Sequence, residues 1–458
     1  RNVCGENKLC EAKMIKKLAK SLRQYKLPAI LTPIFMIGEV VFELLIPMLM
    51  STYILDYLAG LELSGGSPDM MYLLKWGAIL IGCGCLSFTC GTLSGIFSAK
   101  ASAGFGGNLR HDLYYKVQSF SFGNIDKFST SSLVTRLTTD VSNVQNAFMT
   151  IIRIGVRAPM MMIFSFIFAL EAFKGIGYEQ FTQMGTVYLI VVPVLLVGLG
   201  ALMAIAMPMF NRIFKKYDAL NESVQENVKG MRVVKAYVRE DYEKQKFGKA
   251  SEEVRKDFTR AERLMAFANP LMFICMYAVQ IAVFIICANK GIFGGNPEIV
   301  GKLQMLVSYS ISALMSFMML SMIFVMVTMS VASAKRICEV LDEKSDIVNP
   351  ENPVYEIKDG SVKFNNVNFK YSKNAEKFAL SDINLDIKSG ETVGIIGGTG
   401  SSKTSLVNLI SRLYDTTEGE VLVGGVNVKQ YDLDTLRNNV AVVLQKNLLF
   451  TGTIADNI

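Results

Sequence analysis

The chain has 458 residues, 51% of them hydrophobic and 19% charged, with a formal net charge of +7. That length leaves room for two or three domains, and the apolar balance excludes an ordinary soluble protein. The positive charge does not argue for nucleic acid, because Lys and Arg sit beside the ends of apolar runs, where membrane topology requires them. The eight cysteines do not form a disulfide framework. Cys83, Cys85, Cys90, Cys275 and Cys287 lie inside apolar runs and behave as small hydrophobes, and no C-x-x-C pair suggests zinc.

Residues 1–26 form a charged amphipathic segment without a signal-peptide pattern. The sequence opens on Arg1 rather than methionine, so it is expected to begin inside a longer chain. A predicted membrane domain follows over 27–340. Spanning the hydrocarbon takes about 20 apolar residues, and six segments qualify: 28–57, 71–99, 147–172, 185–209, 265–289 and 303–332. Lys13, Lys16, Lys17, Lys20, Arg23 and Lys26 precede the first span and place the N-terminus in the cytoplasm. The next linker carries Asp56, Glu62 and Asp69 and faces outside; residues 100–146, with Lys100, Arg110, Lys116, Lys127 and Arg136, return inside.

The first span carries Glu39 and Glu43, four apart and so on one helical face, about 40° from each other. Carboxylates at membrane depth are costly and face a cavity, a partner or the bundle interior. They fit contacts for a cationic amphiphile and equally fit ion pairs with Arg153 or Arg157 on the third span. Linkers 100–146 and 210–264 are far longer than turns and helical in composition, with charge pairs such as Glu240–Lys244. The membrane helices are therefore expected to continue into the cytoplasm, joined by short helices at their tips; about 20 further residues reach roughly 30 Å. In the sixth span Met315, Met318, Met319, Met322, Met326 and Met329 fall within roughly 100° of one another. Such polarizable side chains suit a surface that accepts many apolar shapes, and are also ordinary filler between helices.

Pro350 and Pro353 mark a linker over 341–354. Beyond it, over 355–458, β-like runs appear: "SVKFNNVNFKY", "INLDI", "ETVGIIG", "GEVLVGG" and "NVAVVLQ". One helical pattern, "KTSLVNLISRLY", follows the stretch "GIIGGTGSSKTS" at 394–405. A strand over Thr392–Ile396, a glycine-rich turn and a helix from Lys403 are the setting of a phosphate-binding loop. Backbone N–H groups of the turn make an anion nest, and the helix directs its positive end at the same place. Gly397, Gly398, Thr399, Gly400, Ser401, Ser402, Lys403, Thr404 and Ser405 are the candidate phosphate residues. Lys403 would reach the β- and γ-phosphates and the Thr404 hydroxyl would ligate Mg²⁺.

The stretch from "FNNVNFKY" to "TGTIADNI" resembles the first half of an ABC-transporter nucleotide-binding domain. The six spans, "DKFSTSSLVTRLTTDV" and "NVKGMRVVKAYVRE" resemble the membrane and coupling regions of exporters of that superfamily, closest to bacterial multidrug-type half-transporters. The fold class implied is an α-helical membrane domain with six spanning helices and long cytoplasmic extensions, followed by a partial α/β P-loop ATPase domain. The resemblance implies that Tyr371 stacks on adenine, and that Gln445 contacts Mg²⁺ and the attacking water; on residues alone Tyr371 reads as an ordinary strand-end aromatic.

Ser402 departs from the family's glycine before the lysine; its backbone N–H is kept, its Cβ adds bulk where backbone and phosphate approach closely, and binding is expected to persist. The sequence also stops before the family's LSGGQ motif, its Asp-Glu strand end and its switch histidine, and the single histidine, His111, matches none of these. On that basis the chain is expected to be cut within its ATPase domain and, as it stands, to hold part of a nucleotide without hydrolysing it. The resemblance implies ATP and Mg²⁺ as cofactors, and a second ABC half-transporter, in a heterodimer rather than a homodimer, as partner. It further implies membrane lipid and a small amphiphilic substrate as contacts, and the cytoplasmic membrane as location, with the ATPase domain inside. ATP-driven export of amphiphilic or drug-like compounds is the function implied; a nucleotide-gated channel or a regulatory subunit without pumping is the alternative.

Overall fold

The computed structural model describes residues 14–64, 66–172, 178–287, 298–372, 375–443 and 449–457. The chain divides into two compact units. One comprises the described parts of Arg1–Gln24, Ala103–Asn146 and Thr328–Ile458; the other comprises those of Tyr25–Ser102 and Ala147–Val327.

Long helices dominate because a backbone crossing hydrocarbon must satisfy its polar groups within its own helix. In chain order these are α1 (Lys26–Leu49), α2 (Met70–Gln118), the short α3 (Phe122–Lys127) and α4 (Thr130–Thr135), and α5 (Val141–Ala172). After them come α6 (Tyr178–Lys229), α7 (Met231–Ala236), α8 (Glu240–Ala266), α9 (Ala268–Cys287) and α10 (Glu298–Asp342). The expected continuation of apolar helices into polar extensions with short helices at the turns is present at α2–α3–α4–α5 and at α6–α7–α8. Among the described residues, five helices are long and apolar enough to cross a membrane: Arg23–Leu61, Met70–Gln118, Thr130–Ala169, Glu240–Ala282 and Gln304–Asp342. The expected span over 185–209 falls within α6, many of whose side chains there lie outside the described residues, so it is not among those five.

Pro47 has no N–H to offer the Glu43 carbonyl in α1. Just beyond it the helix loosens into a π turn over Met50–Leu55, a common response to an interrupted ladder. In the same unit Val40 and Leu44 of α1, Met161 and Ala169 of α5, Val279 of α9, and Met305, Leu306 and Tyr309 of α10 share one core. The buried Tyr309 hydroxyl donates to the Leu44 carbonyl at 2.8 Å, so its one polar atom is satisfied at membrane depth.

The other unit contains a four-stranded antiparallel sheet, ordered β2-β1-β3-β4, from β1 (Val362–Phe369), β2 (Leu380–Ile387), β3 (Glu418–Val423) and β4 (Val426–Asn427). Phe364, Val367 and Phe369 of β1 pack with Val421 and Val423 of β3. Leu406 and Leu409 of α11 (Lys403–Ile410), Tyr431, and Leu436 of α12 (Leu433–Asn439) complete this core. Three of the expected β runs are strands. The run at Thr392–Ile396 is not: it has no ladder partner among the described residues, and Ile396 is 99% exposed. The described part of "NVAVVLQ" is likewise no strand. Apolar runs of this kind belong to a sheet covered on both faces, and no described strand lies beside either.

α3 is short but firmly held. Ser121 and Asn124 form a reciprocal capping box, Ser121 Oγ accepting from Asn124 N–H at 3.3 Å and Asn124 Oδ1 from Ser121 N–H at 3.2 Å. The buried Asn124 amide also donates to Glu343 Oε1 at 3.0 Å and to the Lys344 carbonyl at 2.9 Å, and Lys127 reaches Glu343 Oε2 at 2.7 Å. The Lys127 hydrogen bond holds the Glu343 carboxyl below its ordinary range, against the upward push of burial. A depressed carboxylate contributes stability above its unfolded pKa and loses it as pH falls through the folded value. Asn124→Ala is therefore expected to cost about 1–3 kcal/mol and to speed hydrogen exchange across 122–127. In the unsubstituted protein, protection across 122–127, taken relative to the intrinsic exchange rate, is expected to fall as the pH drops below the ordinary glutamate value of 4.5. Unchanged exchange in the variant would show that α3 stands without this anchor.

Candidate nucleotide site and membrane-depth charges

The glycine-rich turn ends where α11 begins. Gly400 takes a left-handed backbone, φ +86°, that only glycine adopts freely. Ser402 is also left-handed, φ +56° and ψ +24°, as the residue preceding the first helical turn. This explains why glycine suits that position better than the bulk near phosphate does: an L-residue pays about 1–2 kcal/mol there. The first helical hydrogen bond runs from Leu406 N–H to the Ser402 carbonyl at 3.1 Å.

Lys403 folds back over the turn. Its ammonium donates to the carbonyls of Gly397 at 2.8 Å and Gly398 at 2.7 Å, and to Ser401 Oγ at 3.1 Å. Three donors meet three oxygens, and that is the arrangement phosphate oxygens can replace without leaving the ammonium bare. A Cβ at Gly397 would meet Ser401 Oγ at 2.7 Å, so the serine hydroxyl would have to turn aside to admit one. The Thr404 side chain is exposed at the start of α11 and Ser405 is buried behind it. Thr399 is exposed on the turn. These residues fit a polyphosphate, and the Thr404 hydroxyl is the one expected Mg²⁺ ligand among the described residues. Gln445 lies outside them.

Tyr371 stands beside the loop. Its hydroxyl and Ser405 Oγ are 2.6 Å apart, while the side chain stays half exposed. Its ring meets Phe369 edge-on at 4.8 Å and Tyr414 edge-on at 5.2 Å. Sequence reasoning did not single out Tyr414, which follows α11 in "SRLYD". Its hydroxyl donates to Asp126 of α3 at 2.7 Å. Burial, this hydrogen bond and the Asp126 charge together push the phenol above its ordinary value.

At membrane depth, Arg157 of α5 holds both acids of α1. One guanidinium nitrogen pairs with Glu39 and the other donates to Glu43 Oε2 at 2.7 Å. Gly91 of α2 faces the Glu39 carboxyl, which a Cβ there would approach at 2.9 Å. The Glu39 side chain is 14% exposed and that of Glu43 39%. Arg153 lies one turn away, near Gly95. The methionine face of α10 is divided: Met315, Met318, Met319 and Met322 are exposed, whereas the Met326 sulfur accepts from the Thr150 hydroxyl at 3.2 Å. The Met329 side chain lies outside the described residues.

Comparison with known families agrees with both halves of this geometry. Residues 29–326 match the family described as ABC transporter transmembrane region, and residues 380–457 match the one described as ABC transporter. An uncharacterized ABC transporter ATP-binding protein of Bacillus subtilis, YfiB, is 30% identical over 97% of this chain and 74% of its own length. A putative ABC transporter ATP-binding protein of Mycoplasma pneumoniae is 28% identical over 95% of this chain and 73% of its own. A third, exp8 of Streptococcus pneumoniae, is 24% identical over 99% and 74%. The chain belongs to the ABC transporter family, as a membrane region fused to an ATP-binding domain in the manner of an exporter-type half-transporter. It is a multi-pass membrane protein that binds ATP, an ATPase by family, and the half-transporter arrangement pairs it with another ABC subunit.

The left-handed Ser402 gives a direct test of the loop. Ser402→Gly removes the backbone cost, and is expected to raise ATP affinity by less than about tenfold, roughly 1.4 kcal/mol. Ser402→Val, β-branched at a position of positive φ, is expected to lower it. Equilibrium nucleotide binding to the three proteins decides the matter; weaker binding by the glycine variant would contradict this account of the loop.

Proposed function

We propose that the protein exports amphiphilic or drug-like compounds across the cytoplasmic membrane, driven by ATP hydrolysis, as one half of a dimer whose partner is a different half-transporter. The observation that carries this reading is a phosphate loop with a ready ammonium, Lys403, in the same chain as a bundle of apolar helices that holds acids at membrane depth. Tyr371 takes the adenine ring on its open face. Gly397, Gly398, Thr399, Gly400, Ser401 and Ser402 wrap the phosphates with backbone N–H groups, and Lys403 exchanges its three oxygen partners for phosphate oxygens. Ser405 anchors Tyr371. Thr404 and Gln445 would hold Mg²⁺, which would supply neutralisation of phosphate charge. Gln445 orients the water that attacks the γ-phosphate.

Within the membrane bundle, Glu39 and Glu43 have different tasks. Glu39 is the more enclosed and anchors Arg157; Glu43 is more accessible and receives the cationic end of a substrate. Met315, Met319, Met322 and Met326 of α10 offer the apolar surface against which its body packs. The N-terminus and the ATPase domain face the cytoplasm, following the cation distribution.

Lys403→Ala is expected to abolish ATP-dependent uptake into inside-out vesicles, since no other loop cation neutralises the γ-phosphate. Ion flux that requires ATP binding but no turnover would favour the channel reading instead. Glu43→Gln keeps size and hydrogen bonding while removing charge, and should lower export of a cationic dye about tenfold with a neutral dye spared. Glu39→Gln should lower the amount of folded protein and both dyes alike, at about 1.5–3 kcal/mol for a lost charged hydrogen bond. Equal loss of both dyes in Glu43→Gln, normalised to folded protein, would remove it as a substrate contact. For orientation, a single cysteine at Asp69 should react with an impermeant thiol reagent outside intact cells and one at Asp241 should not; the reverse pattern would invert the topology.

A further inference from the structure

Four side chains form an unbroken series beside the phosphate loop. Ser405, in the first turn of α11, meets the Tyr371 hydroxyl at 2.6 Å. Tyr371 meets Tyr414 edge-on, centroids 5.2 Å apart and planes at 87°. Tyr414 then reaches α3 twice, through an edge contact with Phe122 at 5.9 Å and through its hydroxyl to Asp126 at 2.7 Å. The opposite side of α3 is tied by Asn124 and Lys127 to Glu343, the residue after α10. α3 thus rests on the aromatic group by one side and on the end of a long helix by the other.

We propose that Tyr414 is a positioning residue that couples the occupancy of the Tyr371 ring to α3 through its hydrogen bond to Asp126. The proposal rests on the reading of Tyr371 as the aromatic that takes adenine. An edge-to-face contact is directional because the positive edge of one ring meets the negative face of the other. A purine stacked on the open side of Tyr371 narrows the tilts that ring can adopt. Tyr414 is held on Tyr371 and on Phe369, with centroids 5.6 Å apart in the second contact, so the restriction passes to its own ring. The hydroxyl is the only polar atom of that side chain, and the charged acceptor at its far end gives a bond stronger and more orientation-dependent than a neutral one. Asp126 is an exposed residue of α3 whose carboxylate water would otherwise solvate.

Hydrogen exchange of the purified protein in lipid nanodiscs, with and without the non-hydrolysable ATP analogue AMP-PNP and Mg²⁺, tests this. In the unsubstituted protein the nucleotide is expected to slow exchange across 122–127. Tyr414→Phe keeps every ring contact and loses only the hydroxyl; Asp126→Ala removes the acceptor from an exposed position; both should abolish most of the nucleotide-dependent slowing. AMP-PNP affinity should stay within about threefold, under 0.7 kcal/mol. The double variant should be no worse than either single one, and Asp126→Asn, which still accepts a hydrogen bond, should retain the effect. Slowing preserved in Tyr414→Phe, additive losses in the double variant, or no nucleotide effect on α3 in the unsubstituted protein would each overturn the coupling. Tyr371→Ala separates the premise: unchanged ATP affinity there would refute the adenine contact itself, whereas a large loss combined with a silent Tyr414→Phe would refute only the link to α3.

Discussion

The constraint on which the rest depends is that backbone amides in hydrocarbon have no water to turn to. It forces helices long enough to carry every N–H to a carbonyl of the same helix, and those helices then continue past the apolar stretch. α2 runs 49 residues with no proline inside it, and α6 runs 52 with Pro193 and Pro208 inside it, both well beyond what a bilayer core requires. A helix that leaves the membrane without a break is a stiff element, so a displacement at one end has few internal joints to absorb it. The breaks that do exist fall at particular residues. Pro47 interrupts α1 beside Glu43, and the ladder re-forms with π spacing over Met50–Leu55.

Charge inside the bundle follows from the same scarcity of water. A lone carboxylate at that depth is expensive, and two on one helical face would repel. A single guanidinium solves both problems because its planar fork offers separate nitrogens to two acceptors. Arg157 does this for Glu39 and Glu43. The absence of a side chain at Gly91 is part of the same solution, since the Glu39 carboxyl occupies the space a Cβ would need. The sequence pattern brought the acids to one face and proposed both arginines as partners. It had no means of choosing between them, because that choice depends on how α1 and α5 are rotated against each other.

Legibility differs sharply between the two units for a related reason. Apolar runs, cation-rich flanks and the polar helical linkers are local signals, and five of the six spans they announce are helices long and apolar enough, among the described residues, to cross a membrane. The loop was equally local: glycine at 397 and 400, the lysine, and a helix from Lys403 could all be read directly. Thr392–Ile396 is not a strand because an apolar run announces burial, while a ladder requires a neighbouring chain that local sequence does not supply. At Ser402 the sequence shows only bulk near phosphate, whereas the backbone shows handedness, φ +56° before the helix. Tyr414 escaped notice because nothing in "SRLYD" announces a partner nearly three hundred residues earlier; the hydrogen bond to Asp126 exists only once the chain has folded.

That long-range pair also shows why α3 is built as it is. Six residues of helix are far too few to be stable alone, so its structure is supplied from outside: the capping box at its start, Glu343 on one side and the aromatic group on the other. An element whose stability comes from its contacts has no shape of its own to defend. It moves with whichever contact is held more firmly, and changing one contact alters the strain on the other. The arrangement suits a connection between a nucleotide lobe and a long helix better than a self-sufficient helix would. A rigid insert could ignore a small displacement at Tyr371, but α3 is bonded through charged groups on both sides and would share it between them.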